Sequence, residues 1–193
     1  MAATYRTEQG QQESGRRATV EDLYKVKEKA ELVGGQLKIM DGTGHMPSRA
    51  AAAIYRALYD YERRTRSGFA YTDNMVFLVE LPNRQSFSPD AAYYVGQPAG
   101  MKFLQGAPVL AVEVRSENDY GRTPEREMRD KRAHYFAAGT LVVWDVDLLN
   151  DDVVRVFRNG NADAPDAIYR RGELAEAEPA LQGWRFSVDE LFD

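Results

Sequence analysis

The chain has 193 residues, 44% of them hydrophobic and 28% charged, with a formal net charge of −5, which suits one soluble domain able to bury its own core. Cysteine is absent and the only histidines are His45 and His134, which excludes disulfides, thiolate zinc sites, a cysteine nucleophile and a histidine-rich metal centre. No apolar run approaches the roughly 20 residues of a membrane span, and no signal-peptide core opens the chain, so a cytoplasmic protein without a membrane partner is expected.

Residues 1–18 are polar, rich in Gln, Glu, Arg and Gly, and read as a mobile tail ahead of a single domain over 19–193. Thr19 with Asp22 three residues on has the form of a capping box. Leu23, Val26, Ala30 and Val33 then follow helical spacing up to Gly34-Gly35. A short strand is expected over Gln36–Met40 and a loop over Asp41–Pro47. Ser48 is placed to cap a second helix whose buried stripe is Ala51, Ile54, Tyr55, Leu58 and Tyr61, ending at Ser67-Gly68. Strand-like runs follow at Met75–Glu80, Asp90–Val95 and Val109–Arg115. Thr123-Pro124 reads as cap and first residue of a helix that runs to Ala138 and stops at Gly139. Leu141–Val146 and Val153–Phe157 read as strands, and Trp184, Phe186 and Leu191 as the residues that fold the C-terminal end back onto the core. A strand, a helical crossover and a second strand over 109–146 imply a mixed sheet flanked by helices.

Three polar residues stand where apolar ones belong. Glu113 interrupts the run Val109–Val114, which otherwise suits a strand buried on both faces. A buried carboxylate needs a cation, hydrogen-bond donors or a proton, so Glu113 reads either as a metal ligand or as part of a salt bridge or exposed strand end. Pro89-Asp90 opens a strand, a position that tolerates proline, and Asp90 can project into a cleft or sit in an ordinary turn. Lys131 shares a helix face with Met128, Tyr135 and Ala138, so it must snorkel to the rim or meet a negative charge such as Glu113. Two carboxylates on adjacent strands can hold a divalent cation that polarises a phosphate and acidifies a water, and a nearby lysine can stabilise the hydroxide and the developing charge. With oxygen donors only, that cation would be magnesium, manganese or calcium. Glu31 is the candidate for a further acidic residue.

Pro89-Asp90 and Glu113 resemble the acidic positions of the PD-(D/E)XK nuclease signature, although the lysine usual two residues later is Arg115 here. A narrower resemblance runs from about residue 19 to the C-terminus. It rests on Glu31-Leu-Val-Gly-Gly-Gln-Leu37, Pro89-Asp90, Glu113-Val-Arg-Ser116, the four-residue steps Lys131, Tyr135 and Gly139, Trp144-Asp-Val-Asp147, Leu181-Gln-Gly-Trp-Arg-Phe186 and Leu191-Phe192. These segments are similar to a bacterial family catalogued as restriction endonucleases, formerly a domain of unknown function, in which the lysine stands on the following helix. The resemblance implies a restriction-endonuclease-like α/β fold with a central mixed β-sheet. It also implies Asp90 and Glu113 as metal ligands, Lys131 as the catalytic lysine, Glu31 as a further acid, Mg2+ (or Mn2+) as cofactor, DNA as substrate and a homodimer as an available assembly. That family usually carries a histidine near the start of the second helix; His45 lies upstream of that point, and Ser48-Arg49 stand closer. Arg115 is left to bind a phosphate, to pair with Glu113 or to end its strand in solvent.

Two functions follow from different classes. One is a metal-dependent endodeoxyribonuclease. The other is a catalytically inactive nucleic-acid or protein interaction domain on the same fold, which the net negative charge and Arg115 favour. Basic residues gather locally at Arg63, Arg64 and Arg66, and at Arg122, Arg126, Arg129 and Arg132, as phosphate contacts or as solvated helix faces.

Overall fold

The computed structural model describes residues 16–151, 153–158 and 160–193. The expected tail lies outside the described residues up to position 15, but its last residues are held: Arg16 pairs with Asp22 at 2.8 Å and the Ala18 N–H donates to Gly35 O at 2.8 Å.

In chain order the elements are α1 (Val20–Leu23), β1 (Ala30–Val33), β2 (Gln36–Ile39), α2 (His45–Thr65), β3 (Phe69–Thr72), β4 (Phe77–Leu81), β5 (Arg84–Phe87), β6 (Ala91–Tyr94), β7 (Leu104–Gln105), β8 (Leu110–Val114), α3 (Arg122–Ala137), β9 (Val142–Val146), β10 (Val154–Arg158), β11 (Ala167–Tyr169), β12 (Leu174–Glu176), β13 (Arg185–Ser187) and a closing 3₁₀ turn, Val188–Leu191. Six strands form the central sheet in the order β11-β10-β9-β8-β6-β3. Only β8 and β9 run parallel, joined through α3; the other pairs are antiparallel, so the expected mixed sheet is present.

The alternation of side chains along β8 and β9 gives the sheet two unlike faces. Leu110, Val112 and Val114 join Val142, Trp144 and Val146 on one face, under Ile54, Leu58 and Tyr61 of α2. The C-terminal hairpin closes that core: Trp184 and Phe186 pack on Trp144 with ring centroids 5.2 and 6.1 Å away, as expected of the C-terminal end. The opposite face is apolar at Ala111, Val143 and Phe157, where Tyr135 of α3, Val79 and Phe87 cover it, and at Ala92 and Tyr94, which pack with Phe77 and Leu104. Beyond them on this face the register brings Glu113 opposite Asp145, and Asp145 opposite Arg155. A small sheet, β5-β4-β7, and the β1-β2 hairpin complete this side.

Four local expectations are corrected. The helix expected from Thr19 lasts four residues, with its capping box intact, and Ala30–Val33 is a strand instead. Gly34 and Gly35, with φ of 60° and 79°, form the two-residue turn of the β1-β2 hairpin rather than a helix stop; the twist of paired strands favours that turn, and glycine adopts it without strain. The second helix begins at His45, with Gly44 as cap and Pro47 inside the first turn, where a missing N–H costs nothing. The third begins at Arg122 after Gly121, so Thr123 is not its cap. Short strands β3, β5, β7, β11, β12 and β13 carried no usable sequence period.

Candidate active site

Side chains from α3, β1, β8 and the residue leading into the adjacent strand β6 bring the sequence candidates together. Glu113 is buried near the end of β8. Its carboxylate accepts from Lys131 Nζ at 2.8 Å and from the Tyr135 hydroxyl at 2.6 Å, so two residues one helical turn apart on α3 grip it. Stacking of Phe87 on Tyr135, centroids 4.0 Å apart, fixes that turn. Asp90, just ahead of β6, donates its N–H to Val112 O at 3.0 Å and accepts the Val114 N–H on Oδ2 at 2.8 Å. The two carboxylates therefore flank the same stretch of β8. Lys131 thus meets a negative charge, the alternative to snorkelling that its helix face left open.

Glu31 also belongs to the cluster, although nothing in its sequence position fixed it as buried. It is 2% exposed and its Oε1 lies 3.1 Å from Lys131 Nζ. Arg84 donates to it at 2.5 Å and the Ser88 N–H at 2.9 Å. Pairing across the hairpin turns Glu31 toward α3, and β5 supplies Arg84 and Ser86, whose hydroxyl takes the Leu32 N–H at 2.7 Å.

Burial raises the proton affinity of Glu113; Lys131 opposes that, while Asp90 and Glu31 add to it, and the net value is above an ordinary carboxylate's. Burial likewise disfavours charge on Glu31, but Lys131, Arg84 and the Ser88 N–H outweigh it and hold that carboxyl below its usual range. Burial works against the Lys131 ammonium, yet Glu113 and Glu31 more than compensate, so it keeps its proton. Tyr135 is pushed well up, chiefly by burial and then by Glu113, and stays a phenol that donates.

Sequence reasoning missed Lys29. Its amine lies 2.9 Å from Asp90 Oδ1 and 2.5 Å from Asp73. The one available signal was that residues 29 and 31 alternate onto the same side of an extended segment. Arg115 is corrected on two expectations, the pairing with Glu113 and the solvent-exposed strand end. It is buried and turned away from Glu113, with Nε and a terminal nitrogen each 2.7 Å from the Asp145 carboxylate and a further bond to Glu125 at 2.8 Å. Arg132 joins Asp145 at 2.9 Å and is not part of a solvated basic face. His45 is exposed at the start of α2, beside Arg49 and the C-terminal Leu191–Asp193. Arg63 and Arg66 line an open cleft with Phe69 and Gly96 at the far end of α2.

Among the described residues, no three His, Asp or Glu side chains form a ready metal cage. The donor set nevertheless fits a hard divalent cation in kind. Asp90 and Glu113 offer carboxylate oxygens, the donors such a cation prefers.

A mixed sheet carrying acids from adjacent strands against a lysine on the crossover helix defines a restriction-endonuclease-like α/β fold with an acid–lysine centre. The crystal structure of a putative nuclease belonging to DUF820 from Anabaena variabilis superposes with a TM-score of 0.68 at 16% identity, over 90% of this chain and 97% of that one, a likeness of fold. Residues 18–189 match the family Uma2, described as "Putative restriction endonuclease", and the chain belongs to that family. No curated protein matches it. Among the described residues no helix is long and apolar enough to cross a membrane.

Proposed function

We propose that the protein is a metal-dependent endonuclease that hydrolyses phosphodiester bonds of DNA. The observation that carries this reading is the meeting of Lys131 with Glu113, at 2.8 Å, on the same stretch of β8 that holds Asp90. Membership of a family described as restriction endonucleases supports DNA as the substrate.

In this reading Asp90 and Glu113 hold Mg2+ or Mn2+, which when bound polarises the scissile phosphate and acidifies water. Tyr135 orients the Glu113 carboxylate by its hydrogen bond. Glu31, anchored by Arg84 and Ser88, holds the Lys131 ammonium as a second carboxylate beside Glu113. Lys131 keeps its proton and offers a fixed positive charge to the attacking oxygen and to the charge that develops on the phosphate. Arg115 has no part in the chemistry, being committed to Asp145. A homodimer would bring two such centres to one duplex.

Purified protein incubated with DNA should cleave it with Mg2+ or Mn2+ and stop on chelation. Asp90→Ala, Glu113→Ala and Lys131→Ala should each abolish cleavage; full activity in all three would end this assignment. The alternative, an inactive interaction domain, draws on the fact that each acid already has an amine partner. It expects no Mn2+ binding dependent on Asp90 and nucleic-acid or protein binding that survives Asp90→Ala.

A further inference from the structure

The two ends of the acidic centre differ in how they meet solvent. Side-chain exposure falls from 40% at Asp73, through 15% at both Lys29 and Asp90, to 9% at Glu113 and 3% at Glu31. Lys131, between the two buried acids, is 14% exposed, so the Asp73 side is the more open of the two, and Lys29 stands in it. Asp90 has one oxygen committed to the backbone, Oδ2 on the Val114 N–H. The other, Oδ1, is the one available to a cation, and it carries the Lys29 ammonium at 2.9 Å. That ammonium has a second anchor, Asp73, at 2.5 Å. Asp73 is fixed in the turn after β3, where its Oδ1 also accepts the Asn74 N–H at 2.8 Å. A lysine on a four-carbon stem can give up one carboxylate while keeping the other, which a forked guanidinium bound to both could not do as readily.

We propose that Lys29 is a built-in competitor for the metal. It occupies the open oxygen of Asp90, and a divalent cation binds only as Lys29 lets go of Asp90 and stays on Asp73. This rests on the reading of Asp90 and Glu113 as the metal pair. Each acid of the centre then has a cationic partner without metal, and Lys29 with Asp73 sets how tightly metal is held.

The test uses the full chain without nucleic acid. Titration calorimetry with MnCl2 should show Lys29→Met binding about tenfold tighter than the unaltered protein, the factor one charge-assisted hydrogen bond is worth. Asp73→Asn, which leaves Lys29 with Asp90 alone, should bind about threefold more weakly. In the unaltered protein, trace acetylation read by mass spectrometry should show Lys29 labelling rise severalfold at saturating Mg2+, against the exposed Lys25 as an internal reference. A flat Lys29 signal at saturation, or equal or weaker Mn2+ binding by Lys29→Met, overturns the proposal. If Asp90→Ala abolishes Mn2+ binding in the same series, the metal pair stands and only the competitor role falls. Binding that survives Asp90→Ala, or is absent from the unaltered protein and Lys29→Met alike, removes the metal pair and the competitor together.

Discussion

Two charged clusters lie side by side on one face of the central sheet, and they are built differently. Around Glu113 the partners are Lys131, Lys29 and Arg84, with Asp90 and Glu31 as fellow acids. Around Asp145 the partners are all arginines: Arg115 bidentate at 2.7 Å, Arg132 at 2.9 Å and Arg155 at 3.7 Å. Next to it Asp147 accepts from Tyr120, Leu149 N–H, Asn150 and Arg155. Burial works against the Asp147 charge, but those four donors outweigh it and its proton affinity falls; Glu113, with the two donors Lys131 and Tyr135, ends with its proton affinity raised, chiefly by burial. Planar guanidinium forks saturate a carboxylate and leave it no further demand. At Glu113 burial outweighs Lys131, and the neighbouring acids Asp90 and Glu31 add to it. The Asp145 cluster bolts β8, β9 and α3 together through Glu125 and Arg132, and the Glu113 cluster, reached by Lys131 and Tyr135 of the same helix, keeps capacity for chemistry.

The sharpest way to break this contrast is Asp145→Ala. It strands Arg115 and Arg132 without their buried partner and should cost about 3–5 kcal/mol in denaturant unfolding. A loss within the few tenths expected of a surface site would show that the cluster does not bolt the fold. Lys131→Ala should do the reverse, lowering DNA cleavage by about 10²–10³-fold while the melting temperature moves less than for Asp145→Ala. Arg115→Lys restores a lysine at the position two residues after Glu113, yet its side chain faces Asp145. It should therefore lose about 1–3 kcal/mol of stability and fail to rescue Lys131→Ala in a cleavage assay.

The finest discrimination is in pH. Asp147, with its proton affinity lowered in the fold, stabilises above the unfolded value of 3.8, and that contribution disappears as pH falls through the folded value. The destabilisation by Asp147→Asn should therefore shrink on acidification. Glu113, with its affinity raised, is penalised as pH climbs above 4.5 toward the folded value. Stability of the unaltered protein relative to Glu113→Gln should accordingly fall with rising pH across that window. Parallel slopes for the two pairs, measured by urea unfolding at a series of pH values, would erase the distinction between the clusters.

Much of this arrangement was legible before any coordinates. The apolar runs of β8 and β9 and the stripe of α2 announce themselves, because burial on both faces or along one helical side imposes a period on the sequence. Glu113 was visible for the same reason, as a charge in a run of buried residues, and Lys131 as a charge on the helix face that carries Tyr135. The strand Ala30–Val33 was not, since four residues are too few to separate a period of 2 from one of 3.6, and Gly34-Gly35 punctuates either. Arg115 was misplaced because its partner Asp145 stands 30 residues away, across a parallel pairing that only the α3 crossover brings about.

The sequence by itself determined the mixed sheet, the helix that returns across it and the three residues that break its apolar pattern, because those are consequences of local burial. Only the tertiary structure decided which cations each acid receives. Strand register, the α3 crossover and the segment ahead of β1 together delivered three arginines to Asp145 and lysines to Glu113 and Asp90, and no local period in the chain encodes a pairing between segments so far apart.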